Sequence, residues 1–105
     1  MMTTIEYCPY PAFGPEEAGR CAVGGKHISI WYPEPWVLAH ELVHACQWQA
    51  GRSTSRGIEE EARRIAPLWG KRYESRLQEI LDAIVGGESV ELDISGLAPV
   101  FLQDR

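Results

Sequence analysis

The sequence is short of positive charge, of cysteine, of histidine and of long apolar runs, and each shortage removes a class of function. Lys and Arg number 10 against 15 Asp and Glu, a formal net charge of −5. An acidic chain of this kind is a poor neutraliser of phosphate, so nucleic-acid binding is not expected. No apolar run approaches the ~18 residues that a membrane-spanning helix needs. Residues 1–6 lack the basic start and apolar stretch of a secretory signal, so the expected compartment is the cytoplasm. Cysteine occurs 3 times, an odd count that forbids a closed set of bridges. A Cys8–Cys21 bridge is compatible with that count, but reduced thiols are the expectation in a cytoplasmic chain. Internal repeats and low-complexity tracts are also missing. A length of 105 residues and a hydrophobic content of 45% then fit one soluble domain, residues 1–105.

The remaining composition is ordered along the chain. Tyr7 to Gly19 carries three prolines and two glycines and reads as a surface loop. After a Gly24-Gly25 turn, Lys26 to Tyr32 alternates Ile28, Ile30 and Tyr32 against His27, Ser29 and Trp31, the pattern of a strand. Pro33 and Pro35 close that strand, and Pro35 suits the first turn of a helix. Trp36 to Gly51 repeats Val37, His40, His44, Gln47 and Trp48 at steps of three and four, which predicts a helix stopped by Gly51. Arg52 to Gly57 is a polar loop. Ile58 to Val85 is helical again, with an acidic first turn that suits the macrodipole. Pro67 is expected to kink or divide it, because it removes one backbone donor. Beyond Pro67, Leu77, Ile80, Leu81, Ile84 and Val85 form an apolar stripe ending at Gly86-Gly87. Ser89 to Ile94 alternates as a second strand or an extended tail, and the apolar Ala98 to Leu102 follows. The order predicts an α+β fold.

The chemistry sits in His40-Glu41-Leu42-Val43-His44. On a helix, residues four apart lie one turn apart on one face, so both imidazoles reach a single cation. Glu41, one step round from His40, reaches a water held on the same ion. Zinc suits this set, since catalytic zinc sites combine protein ligands with an open water position. Only 3 histidines occur in the chain and two belong to the motif; the third, His27, reads as a structural or cleft-edge residue.

Leu38-Ala39-His40-Glu41-Leu42-Val43-His44 resembles the active-site helix of zincin metallopeptidases. No histidine follows His44, which removes the metzincin arrangement. Glu59-Glu60-Glu61-Ala62-Arg63 resembles the gluzincin segment in which a Glu supplies the third ligand and a small residue packs on the motif helix. That resemblance implies Glu59 as the ligand, with Ala62 as the small residue. Arg63 stands where the family usually has Asp, the residue that orients a motif histidine, and Glu60 or Glu61 is a candidate for such a role. Helix phase leaves both Glu59 and Glu61 beside the stripe of Ile58, Ala62, Ile65 and Trp69, with Glu60 about 160° away. Gln47 is similar to the last position of His-Glu-x-x-His-x-x-Gln variants in bacterial and phage zincin-like domains.

The resemblance covers Lys26 to Trp69 and implies a minimal zincin core: a small sheet packed on the motif helix, followed by further helices. It also implies that the strand His27 to Tyr32 forms the cleft rim and pairs with an extended substrate. Tyr73, 14 residues after Glu59, is a candidate oxyanion helper if the helix runs straight. The four tryptophans read as core or cleft wall. The functional expectation is a zinc-dependent metalloendopeptidase with one Zn2+ per chain. His40, His44 and Glu59 would be its ligands, Glu41 its general base, and a peptide or protein its substrate. The alternative is a catalytically silent or latent zincin-like binding or regulatory module, in the latent case with Ser89 to Leu102 lying in its own cleft.

Overall fold

A computed structural model describes residues 2–9, 18–52 and 56–104. The middle of the proline-rich loop (10–17) and part of the polar loop (53–55) lie outside the described residues. The described residues form four strands and four helices in the order β1 (Met2–Tyr7), β2 (Gly19–Cys21), β3 (His27–Ile30), α1 (Pro35–Gln49), α2 (Ile58–Arg72), α3 (Glu74–Val85), β4 (Val90–Asp93) and α4 (Ala98–Asp104). The α+β class expected from the sequence is therefore the observed one. No described helix is long and apolar enough to cross a membrane.

The sheet is mixed, in the order β2-β3-β1-β4. β1 runs parallel to β3, with Ile5 beside Ile28, and antiparallel to β4, with Thr3 beside Leu92. β2 and β3 are antiparallel, with Cys21 beside Ile28. Alternation sends Thr3, Ile5, Ile28 and Ile30 inward, all fully buried. The opposite face carries Glu6 and His27, paired at 3.3 Å. His27 thus belongs to the outer face of the sheet, away from the motif.

Between β2 and β3 a 3-10 turn (Val23–Gly25) seats the sheet on α1. Gly25 has φ +70°, and a Cβ there would lie 3.0 Å from the Ala45 carbonyl oxygen. Only glycine allows both that backbone conformation and that approach. Thr3 Oγ1 donates to the Gly25 carbonyl at 2.7 Å, fixing the turn to β1.

α1 is covered by the sheet, α2 and α3, which is why Val37, Leu38, Ala39, Leu42, Val43, Ala45 and Cys46 are all buried. Its start uses Pro35 in the first turn, and its end is a Schellman turn at the expected Gly51 (φ +74°). There the Arg52 N–H donates to the Gln47 carbonyl at 2.8 Å and the Gly51 N–H to the Trp48 carbonyl at 3.0 Å. α2 lies antiparallel to α1: Gln47 meets Ile58 at one end, and Gly70 stands against Trp36 at the other.

Of the kink or division expected at Pro67, the division does not occur there. α2 continues through Pro67 to Arg72, and the chain turns at Tyr73 (φ −113°, ψ 21°). Ala62, Ile65, Ala66 and Trp69 are buried on one side of the helix, while Pro67 sits on the exposed side. After the turn, Leu77, Ile80, Leu81 and Ile84 return to the core, and Val85 at the end of the predicted stripe is half exposed.

The C-terminal segment also differs from one expectation. Ser89 to Leu102 does not enter the cleft: it supplies β4 at the far edge of the sheet, a 3-10 turn (Ile94–Leu97) and α4. Ile94 and Phe101 anchor it in the core. Asp104 closes it, accepting from Trp69 Nε1 at 2.8 Å and from an Arg72 guanidinium nitrogen at 2.7 Å. Among the described residues, the buried hydrophobic side chains form one cluster between sheet and helices.

Candidate metal centre

The antiparallel seating of α1 on α2 brings three donors together. His40 Nε2 and His44 Nε2 are 3.1 Å apart on one face of α1, with the rings edge to face. From the first turn of α2, Glu59 reaches across: Oε1 is 2.9 Å from His44 Nε2 and Oε2 is 3.5 Å from His40 Nε2. Metal–donor bonds of about 2.0–2.1 Å in a tetrahedron imply donor separations of about 3.3 Å. The separations lie around that value, so the three side chains could hold one metal ion. Among the described residues these three are the group of ligand atoms close enough together for one ion.

Packing places Glu59 and Glu61, both open on helix phase, in different surroundings. Glu59 faces the two imidazoles and Glu60 is exposed. Glu61 turns under the loop, with its side chain only 10% exposed, and accepts from Gln47 Nε2 at 2.9 Å. Gln47 is itself 1% exposed. Its Nε2 also donates to the Ile58 carbonyl at 2.8 Å, so the amide nitrogen is committed to two acceptors. The oxygen, Oε1, therefore faces His44 Nδ1 at 2.7 Å and must accept from it. With its proton on Nδ1, His44 would have its Nε2 lone pair available to a metal ion, the arrangement usual for a ligating histidine. Arg52, placed by the Schellman turn, completes the chain with a 3.0 Å bond to Glu61. Gln47 and Glu61 together hold the His44 ring in place.

These groups open into a cleft of about 660 Å³. α1 contributes Trp36, Val37, His40, Glu41, His44 and Trp48; α2 contributes Ile58, Glu59 and Arg63; the segment Ala18–Cys21 forms the opposite wall. Glu41 is only 7% exposed, a carboxylate held beside the imidazoles with most water removed. Burial, followed by the neighbouring His44, pushes the His40 pKa below its usual value, which keeps the ring neutral and able to ligate.

Cys21 and Cys46 are pushed up to about 12, mainly by burial and, for Cys21, also by the nearby Glu41 carboxylate. Both stay protonated near neutrality, which suits packing rather than nucleophilic attack. All three cysteines are thiols, so the Cys8–Cys21 bridge is not formed.

Two expectations about the cleft are corrected. Among the described strands β3 is interior, so His27 to Tyr32 is not the rim, and the edge strand beside the cleft is β2. Gly19 allows β2 to lie there, because a Cβ would be 2.9 Å from the Ile30 side chain and 3.2 Å from that of Val37. Tyr73 lies at the α2–α3 turn against Trp69 (6.2 Å between ring centroids), in a small apolar pocket with Leu77 and Leu92 rather than in the cleft. Trp36 and Trp48 are cleft wall and Trp69 is core, within the range expected of the tryptophans. Arg52, Arg63 and the β2 wall are site residues that motif spacing alone did not reveal.

No family model, no curated protein and no solved structure matches the chain.

Proposed function

We propose that the protein is a zinc-dependent metallopeptidase. The observation that carries this reading is the convergence of His40, His44 and Glu59 at zinc-like spacing in a cleft that also holds a buried Glu41. Zinc bound there supplies a Lewis acid for the scissile carbonyl and lowers the pKa of water towards ~7. The chain's own groups do the rest. Gln47 keeps the His44 lone pair directed into the site. Glu41 accepts the proton of the attacking water and passes it to the departing amide nitrogen. The low exposure of Glu41 keeps that proton from bulk solvent. β2, at the edge of the sheet among the described residues, is the strand placed to pair with an extended peptide. The cytoplasm is its proposed compartment, in keeping with three reduced thiols.

Zinc content and peptide hydrolysis measured together on wild type and Glu41→Gln test the proposal. The expected result is equal zinc in both and turnover only in wild type. Zinc in both with turnover in neither would instead assign a metal-stabilised binding or regulatory module.

A further inference from the structure

We propose that Arg63 selects the substrate: its guanidinium binds a peptide carboxylate on the Trp36 side of the metal site. This inference rests on the peptidase reading and adds a substrate class to it.

Arg63 lies one helical turn beyond Glu59 on α2, lines the cleft and is exposed. The antiparallel register fixes its place along the groove. Gln47 of α1 meets Ile58, His44 meets Glu59, and Trp36 meets Gly70, so a residue between Glu59 and Gly70 stands between the metal ligands and Trp36. Among the described residues Arg63 has no hydrogen bond or ion pair, unlike Arg52, Arg64, Arg72 and Arg76. Arg20, the other arginine of the cleft, is already engaged.

The charge balance of the cleft points the same way. Its two arginines offset Glu41 and Glu59, so a divalent ion leaves it net cationic in a chain of net charge −5. A cleft of opposite sign to its protein concentrates anionic ligands. A planar guanidinium takes a carboxylate in a two-pronged geometry that no neutral side chain matches. Trp36, 55% exposed at the same end, offers a flat apolar surface to the stem of the residue bearing that carboxylate. The carboxylate is either an acidic side chain or a free C-terminus.

The two sources separate in a synthetic peptide pool prepared with free and with amidated C-termini. The pool is digested by the zinc-loaded protein and the cleavage sites are read by mass spectrometry. An acidic side chain predicts Asp or Glu enriched at one position beside the cleaved bond in both pools. A free C-terminus predicts cleavage near the end of the chain that amidation abolishes. Either signature should collapse in Arg63→Ala, weaken in Arg63→Lys and turn towards Lys and Arg in Arg63→Glu. For a matched pair of substrates, the preference for Glu over Gln should be about tenfold or more and reside in KM. Cleavage without a carboxylate signature overturns the proposal and leaves the peptidase reading intact. So does an equal loss of kcat on both substrates in Arg63→Ala, which would place Arg63 at the reacting carbonyl.

If nothing is cleaved, the peptidase reading fails and binding decides the carboxylate claim. Tryptophan fluorescence of zinc-loaded Glu41→Gln would then be titrated with acetyl-Ala-Glu-Ala-amide, its Gln counterpart and free acetyl-Ala-Ala-Ala. A tighter response to either carboxylate peptide that Arg63→Ala removes supports the proposal. Equal response or none overturns it.

Discussion

Glu61 and Gln47 meet through a 2.9 Å hydrogen bond between two nearly buried side chains, and the orientation of His44 depends on it. With the Gln47 amide nitrogen held by Glu61 and the Ile58 carbonyl, only its oxygen is left to face the imidazole. Substituting Gln47 by Leu keeps much of the volume and removes that acceptor. Zinc affinity should fall about 10–100-fold, read by competition with a chelator of known affinity. Unchanged affinity would show that the imidazole needs no such support. Glu61→Gln should act in the same direction, because it also removes the charge paired with Arg52.

Glu41→Gln should retain the metal and lose about 10²–10⁴ in kcat, the range that general-base catalysis contributes. The informative measurement is single-turnover hydrolysis on protein whose zinc content has been verified. Substantial residual turnover would move the base elsewhere.

Gly24 and Gly25 both have positive φ, yet they should respond differently to alanine. At Gly24 (φ +88°) a Cβ meets nothing within 4 Å, so Gly24→Ala costs only its left-handed conformation, about 1–2 kcal/mol. At Gly25 (φ +70°) the same change adds contacts of 3.0 and 3.1 Å to the Ala45 backbone. Neither the turn nor α1 can yield freely, so the cost should be larger by about 1–3 kcal/mol. Denaturant midpoints of the two variants compare these costs directly.

Asp104 ties the C-terminal helix to α2. The Arg72 and Trp69 hydrogen bonds hold its carboxyl below the usual value of 3.8. A carboxylate whose pKa is depressed by folding stabilises the native state above its unfolded pKa, and that contribution is lost as pH falls through the folded value. The melting-temperature advantage of wild type over Asp104→Ala should therefore be full above about pH 5 and shrink progressively below pH 3.8. At neutral pH the variant also leaves the Trp69 indole N–H without its partner in a side chain 1% exposed, which costs about 1–3 kcal/mol. An advantage independent of pH would show that ionisation of Asp104 is not involved.

The motif helix and its stop were legible because they are local: the three-and-four spacing of Val37, His40, His44, Gln47 and Trp48, and Gly51 just after them. The α+β class and the stripe of Ala62, Ile65 and Trp69 were legible for the same reason. β1 was missed although Thr3, Ile5 and Tyr7 alternate, because a short strand is made by its neighbours, and β3 and β4 flank it on both sides. β2 is only 3 residues long and follows a proline-rich loop, so nothing local announces it. The helix break moved from Pro67 to Tyr73 because tertiary burial outweighed the loss of one backbone bond. Spacing put both Glu59 and Glu61 on the right side of α2. Telling the Glu that faces the imidazoles from the Glu that holds Gln47 needed the position of Gln47, which the fold supplies.

The most direct test of the metal centre is zinc stoichiometry by equilibrium dialysis and elemental analysis, on wild type, His44→Ala and Glu59→Ala, with folding checked by circular dichroism. The arrangement of His40, His44 and Glu59 predicts one zinc per chain in wild type, little or none in His44→Ala, and weakened binding in Glu59→Ala. A folded wild-type protein that takes up no zinc from excess would contradict it.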